Sequence, residues 1–398
     1  MPKTLYLCYF GLREPLVQTQ VLPYLREISK SENLKVNLLT FEPNFKENWK
    51  QDAIEAERQK LAAENIDWHA LAYHKNPSAP ATLYDVLSGA RFIKKLARRE
   101  KIDFLHARSH IPALMALIAA KFTRSRIVFD IRGLLAEEYA DAGIWRENSK
   151  PFRFIKYVER RAIEKASQIV VLTERMRAYL VENNLKKREN IEVIPCCVDF
   201  SRIENAKAFE KSERFELIYA GTVTGLYLLR EMGAFFLELK KRKPDAFFRI
   251  LTASPAEIVR EVFDELGIDE NDYAAAKVAP DEVPEYLKRA HLGISFRKPT
   301  FSQIAASPTK IPEYLACGLP VVSNSGIGDT DDLIEKENVG AILNDFTQDD
   351  FSIALKKIDA LFERENPAKH CFETARRHFD LSKIGGERYR RVYRKLLQ

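Results

Sequence analysis

Short runs of consecutive apolar residues alternate along this chain with longer stretches in which apolar residues recur every three or four positions. The first pattern fits strands covered on both faces, and the second fits amphipathic helices. Their alternation predicts parallel sheets sandwiched by helices. In the first half, strands are expected at 4–10, 35–40, 66–72, 102–106, 126–131, 168–172 and 191–195. Helices are expected at 19–30, 45–65, 83–100, 112–121, 152–166 and 173–181. Residues 200–213 are polar and mixed, without a strand pattern, and read as a linker. A second alternation follows, with strands at 215–220, 246–251, 273–278, 291–296, 319–323 and 340–343. Its helices are expected at 226–242, 255–266, 281–290, 309–318, 349–364 and 381–397. The expected organisation is therefore a first domain at 1–199, a second at 214–375 and a closing helical segment at 376–398.

Composition narrows this picture. A length of 398 residues suits two or three domains, each with its own core. No segment approaches the ~20 apolar residues that span a bilayer. The apolar run after Met1-Pro2-Lys3-Thr4 is too short for a signal peptide, so the expected place is the cytoplasm. The five cysteines, at 8, 196, 197, 317 and 371, form no C-x-x-C pair. They suggest neither a disulfide framework nor a zinc site. The net charge is only +6, but cations cluster on two expected helices. Arg91, Lys94, Lys95, Arg98, Arg99 and Lys101 share one, and Arg153, Lys156, Arg160, Arg161 and Lys165 share the other. Solvated faces account for such clusters. The sharper reading is a peripheral hold on the anionic inner face of a membrane, where each cation contributes about 1 kcal/mol. No recognition motif for nucleic acid accompanies the charge.

The most informative stretch runs from Phe296 to Gly326. A polar loop with Arg297, Lys298 and several hydroxyls leads into a helix expected to be capped by Thr309, with Ser307 as the rival cap. With Thr309 as cap, Pro312 falls at the third helical position, where no N–H is needed. Gly318 can end the helix in the left-handed conformation, and Pro320 keeps it from resuming. A helix start beside Lys298 and Lys310 suits phosphate, and Glu313 can accept two hydroxyl hydrogen bonds. Phosphate plus diol describes a nucleotide sugar. A helix start with ordinary surface charges is the plainer account of Lys310.

The run Ser307-Pro308-Thr309-Lys310-x-x-Glu313-Tyr314-Leu315-Ala316-Cys317-Gly318-x-Pro320-Val321-Val322 resembles the nucleotide-sugar signature of retaining family 4 glycosyltransferases. Glu14-Pro15-Leu16 and Phe129-Asp130-x-Arg132-Gly133 resemble, more loosely, the bacterial polysaccharide-building members. The resemblance implies the α/β GT-B fold, with two Rossmann-like domains facing each other across a cleft. It implies that Glu313 binds the donor ribose. The family usually carries a second glutamate eight residues earlier, against the donor sugar; Ala305 stands there instead. It usually carries an arginine and a lysine in the loop that here reads Gly221-Thr222-Val223-Thr224-Gly225. Lys298, Lys310 and Arg297 are the replacement cations. The family often places a histidine after the fifth strand, where Asp130 and Arg132 stand.

Ligands of open parallel sheets bind beyond the carboxyl ends of the strands. The expected donor contacts are Gly221, Thr222, Arg297, Lys298, Ser307, Thr309, Lys310 and Glu313, with Asn324–Asp329 offering backbone contacts or forming a plain turn. Asp130, Arg132 and Lys298 are the catalytic candidates: Asp130 to orient or deprotonate the acceptor, Arg132 to anchor Asp130 or bind phosphate, and Lys298 to meet leaving-group charge. A structural Asp130–Arg132 pair is the rival. Glu14, His106 and Arg108 are the acceptor candidates, and His106 reads equally as a core histidine. The expected activity is metal-independent transfer from a nucleotide-diphosphate sugar to a glycan or lipid-linked acceptor, without a cofactor. A nucleotide-sugar epimerase and a silent nucleotide-sugar-binding protein are the alternatives.

Overall fold

The computed structural model describes residues 1–30, 34–205 and 211–398. The chain divides into two compact units, one of residues 1–140, 144–195 and 381–398, the other of 141–143 and 196–380. The first is built on seven parallel strands: β1 (Lys3–Leu7), β2 (Lys35–Pro43), β3 (Ile66–Tyr73), β4 (Phe104–Arg108), β5 (Arg126–Asp130), β6 (Gln168–Val171) and β7 (Ile191–Val193). Their order is β3-β2-β1-β4-β5-β6-β7. The second has six: β8 (Glu216–Ala220), β9 (Phe247–Leu251), β10 (Tyr273–Ala276), β11 (Leu292–Ser295), β12 (Val321–Asn324) and β13 (Gly340–Leu343), in the order β10-β9-β8-β11-β12-β13. Both sheets are Rossmann-like, as expected. The strand order reverses between β1 and β4 in one and between β8 and β11 in the other. Those are the crevices where this class of sheet holds ligands.

Burial explains why the strands form. Leu5, Leu38, Leu105 and Val128 of the first sheet and Leu217, Phe248, Ile294 and Val322 of the second are completely buried, because helices cover both faces. Gly293 in β11 is a packing requirement: a Cβ there would stand 2.4 Å from the Tyr314 ring. That close approach docks the helix Lys310–Ala316 onto the sheet. The Tyr314 hydroxyl accepts from Ala220 N–H (2.8 Å) and faces the Ile294 carbonyl (3.4 Å), locking the helix to β8 and β11.

Several expected helices are broken. The stretch 45–65 forms Phe45–Asn48 and Gln51–Ala63, interrupted where Trp49 turns inward. Its indole N–H donates to Glu42 (3.1 Å) and its ring lies 4.9 Å from Trp68. The stretch 19–30 forms Pro15–Gln20 and Leu22–Ser29, because Pro23 has no N–H to continue the first helix. Residues 200–205 of the expected linker are helical, and 206–210 lie outside the described residues. The helix Pro367–Phe379 was not anticipated. The closing segment is a π-helical turn, Leu381–Gly386, followed by the helix Glu387–Leu397. That last helix packs on the first unit, burying Tyr389, Val392, Tyr393 and Leu396. Among the described residues no helix is long and apolar enough to cross a membrane.

Candidate functional site

In the second unit, the loops after β8 and β11 meet the helix Lys310–Ala316. Lys310 is only 5% exposed. Its Nζ lies 3.8 Å from the centre of the Tyr227 ring, 4.7 Å from that of Tyr219 and 3.4 Å from the Tyr219 hydroxyl. The backbone at Gly221 passes so close that a Cβ there would stand 3.1 Å from Nζ. Gly221 also has φ +143°, a region a side chain rarely enters. The glycine thus brings the loop after β8 up against the buried ammonium.

Arg297 stands beside this lysine. Its backbone N–H donates to Asn324 Oδ1 (2.8 Å), and Asn324 Nδ2 donates to the Arg297 carbonyl (3.0 Å). Its Nη1 donates to the Tyr227 hydroxyl (3.2 Å), and Tyr227 and Arg297 pair as an antiparallel bridge. Tyr227 is therefore shared by both cations. Burial holds the Lys310 pKa below its usual value, and Arg297 pushes it the same way. Among the described residues, no carboxylate forms an ion pair with Lys310, Arg297 or Lys298. Lys298 is partly exposed, with its backbone N–H on the Leu226 carbonyl (2.9 Å).

Glu313, one turn along the same helix, is half-buried, and burial raises its carboxyl pKa. Its carboxylate makes no hydrogen bond or ion pair among the described residues. Lys310 and the Glu313 carboxylate thus share one short helix, with Arg297 beside Lys310 on the loop after β11, an arrangement that suits phosphate and diol recognition.

Other expectations change. Thr309 sits just before the helix but is already helical (φ −57°, ψ −29°) and makes no side-chain cap bond. An N-cap oxygen faces the first-turn amides only from an extended backbone. Pro312 is the third helical residue, as expected of a start at Lys310. Ser307 accepts from Cys196 N–H (3.1 Å), so its hydroxyl ties the segment entering this unit to the helix start. Thr222 is exposed, and its hydroxyl lies 3.2 Å from that of Ser254. The amides of Ser325, Gly326 and Gly328 donate to Leu343, Asp331 and Gln303 at 2.9, 3.1 and 2.9 Å. The loop after β12 is therefore a braced turn whose amides at those positions are spent. Ala305 is buried in the 3-10 turn Phe301–Ala305. Two residues earlier, fully buried Gln303 leaves its amide oxygen without a partner. Tyr219, Tyr227 and Gln303 carried no spacing signal in the sequence.

In the first unit, the surroundings of Asp130 favour the structural pairing with Arg132 over the catalytic reading. Asp130 is completely buried. Tyr389 donates to its Oδ2 at 2.8 Å, Tyr6 at 3.5 Å, and Arg132 and Arg108 lie 3.6 and 3.9 Å away. Burial pushes the carboxyl pKa up, but Arg132, His106 and Arg108 more than offset this and hold it well below the usual range. A carboxylate so held is the centre of a buried ionic network. Arg132 remains its anchor, the structural pairing set out above as the rival. His106 is likewise core: fully buried, with Nδ1 2.7 Å from the Tyr393 hydroxyl and burial lowering its pKa. Arg108 and Glu14 instead line a cavity at the carboxyl ends of the first sheet.

Comparison with known proteins agrees with this architecture. Residues 49–202 match the model of Glycosyltransferase Family 4. Most of the match falls on the first unit, whereas the Lys310–Glu313 motif lies in the second. No curated protein matches the sequence. Among solved structures, the chain resembles a glycosyltransferase from Rickettsia africae (TM-score 0.70, 14% identity, covering 100% of this chain and 99% of that one). It resembles sucrose-phosphate synthase from Thermosynechococcus elongatus (0.72, 13%, 100% and 99%). It also resembles HepE from Anabaena in complex with UDP-glucose (0.66, 15%, 100% and 100%). These likenesses show the GT-B fold.

Proposed function

We propose that this chain, whose residues 49–202 match the model of Glycosyltransferase Family 4, is a glycosyltransferase that moves a sugar from a nucleotide-diphosphate sugar to a glycan or lipid-linked acceptor with retention. The observation that carries the reading is Lys310, an ammonium 5% exposed with no carboxylate paired to it among the described residues. Burying a charge without a counter-charge is costly. An anionic ligand repays that cost, and a diphosphate against Lys310, Arg297 and Gly221 is the fitting one. Glu313 then takes the ribose hydroxyls. That HepE was crystallised with UDP-glucose supports this donor class.

In transfer, the bond from the anomeric carbon to the diphosphate breaks, a bond to the acceptor oxygen forms, and the acceptor hydroxyl's proton passes to the departing diphosphate. Negative charge grows on the leaving diphosphate. Lys310 and Arg297, fixed before the reaction begins, stabilise that charge without reorganising. In this reading they take the place of a divalent cation. Ala305 leaves the sugar contact to other groups, with buried Gln303 the nearest in sequence.

The test is product analysis with UDP-sugars, with and without acceptor. Transfer predicts a glycosylated acceptor and released nucleotide only when both substrates are present. An epimerised donor from donor alone, or no turnover with any acceptor, contradicts it. Replacing Glu313 by alanine should weaken UDP binding by roughly ten- to a hundredfold, since each hydrogen bond to a charged group is worth about 1.5–3 kcal/mol. Unchanged affinity by calorimetry would remove Glu313 from the site.

A further inference from the structure

The first unit contains a cavity of ≈ 810 Å3, at the crevice between β1 and β4. Tyr9 and Phe10 follow β1, Tyr73 ends β3, and Val86, Leu135 and Trp145 complete much of an apolar wall. Leu83, Ile144 and Phe154 also line it, yet are 57%, 63% and 51% exposed. Apolar groups left in water around an opening mark a binding surface. Glu14, Ser78, Thr82 and Ser109 also line the cavity, but the larger part of the lining is apolar, and a neutral glycan would leave that part unused.

Its polar side is specific. Arg108 lines the cavity at the end of β4, is only 4% exposed, and has no hydrogen-bond partner for Nη1. Its nearest carboxylate oxygen, on Asp130, is 3.9 Å away. Ser109, Ile111 and Pro112 line the same wall, so the helix His110–Ala120 starts there and turns its positive end toward the space. A buried guanidinium with an unfilled donor, beside a helix N-terminus, fits an anion.

We propose that this cavity is the acceptor subsite and that its occupant is a lipid phosphate. The hydrocarbon chain lies along the aromatic wall, and the phosphate meets Arg108 and the first turn of the helix His110–Ala120. The assignment as an acceptor subsite rests on the transferase reading above. The binding claim stands apart from it.

The test is equilibrium binding to the full chain, read by tryptophan fluorescence. Trp145 lines the cavity, while Trp49 and Trp68 are buried against each other. Farnesyl phosphate, farnesol and inorganic phosphate are compared below the micelle concentration. The expected result is saturable binding of farnesyl phosphate, at least tenfold tighter than farnesol, with no response to phosphate alone. Leu83→Glu, at an exposed position on the rim, should weaken farnesyl phosphate at least tenfold. Arg108→Gln should abolish the preference over farnesol. UDP binding, measured on each variant, reports that the protein is folded. Equal affinity for farnesol and farnesyl phosphate, or undiminished binding by Leu83→Glu, overturns the proposal. Failure of UDP to bind the unmodified protein would instead count against the donor reading, and leaves the lipid result to be judged by itself.

Discussion

Replacing Lys310 by methionine should lower the transfer rate by roughly 10²–10³-fold, the usual cost of removing one fixed stabiliser of transition-state charge. The side chain lies between two tyrosine rings and against Gly221, so methionine fills much the same space. Thermal stability should stay level or rise, because an unpaired buried charge has gone. That separation of activity from stability is the signature of a group kept for its ligand. The pH dependence should follow. Burial holds the Lys310 pKa below that of an exposed lysine, and only the protonated form stabilises the leaving group. Activity is therefore complete on the acid side of that pKa and declines as pH rises through it, earlier than for an exposed lysine. Arginine should not rescue the variant, since the Gly221 backbone leaves no room for a larger head. Steady-state kinetics across pH, with melting curves on the same preparations, would check both parts. A methionine variant with unimpaired turnover would refute the role.

Replacing Asp130 by alanine should destabilise the protein by about 3–5 kcal/mol, the typical cost of breaking a buried ionic group from one side. The change strands the hydroxyl of Tyr389 and leaves Arg108 and Arg132 facing each other without their shared carboxylate. The pH sign follows from the depressed pKa. Asp130 contributes its stability above the unfolded-state value of about 4, and that contribution is lost as pH falls through its lower folded value. Urea unfolding at pH 7 should therefore show the full loss, and the variant should differ progressively less from the parent protein in acid. Turnover separates this from a catalytic role. If Asp130 took the acceptor proton, Asp130→Asn would fold normally and lose activity by orders of magnitude; the structure predicts lost stability instead.

The sheets and the donor motif were legible because both are local. Residues that anchor a strand or a turn can be read without knowing their neighbours in space, as with the apolar run of β12 or the helix stop at Gly318, which does adopt φ +75°. That Lys310 and Glu313 share one short helix was legible for the same reason, since they are only three residues apart. What escaped depends on distant partners. Asp130 and His106 looked like site residues until the last helix brought Tyr389 and Tyr393 onto them. Nothing near either residue in the chain announces that contact. Trp49 interrupts an otherwise helical stretch because Glu42 and Trp68 draw it inward. Tyr227 organises both site cations, yet an isolated tyrosine gives no periodic signal.

A crystal structure of the protein soaked with UDP tests the central claim most directly. The account predicts the diphosphate within hydrogen-bonding reach of Lys310 Nζ and the Arg297 guanidinium, beside Gly221, with both ribose hydroxyls on the Glu313 carboxylate. Nucleotide bound elsewhere, or bound with Lys310 still enclosed by its tyrosines and Glu313 turned to solvent, would contradict it.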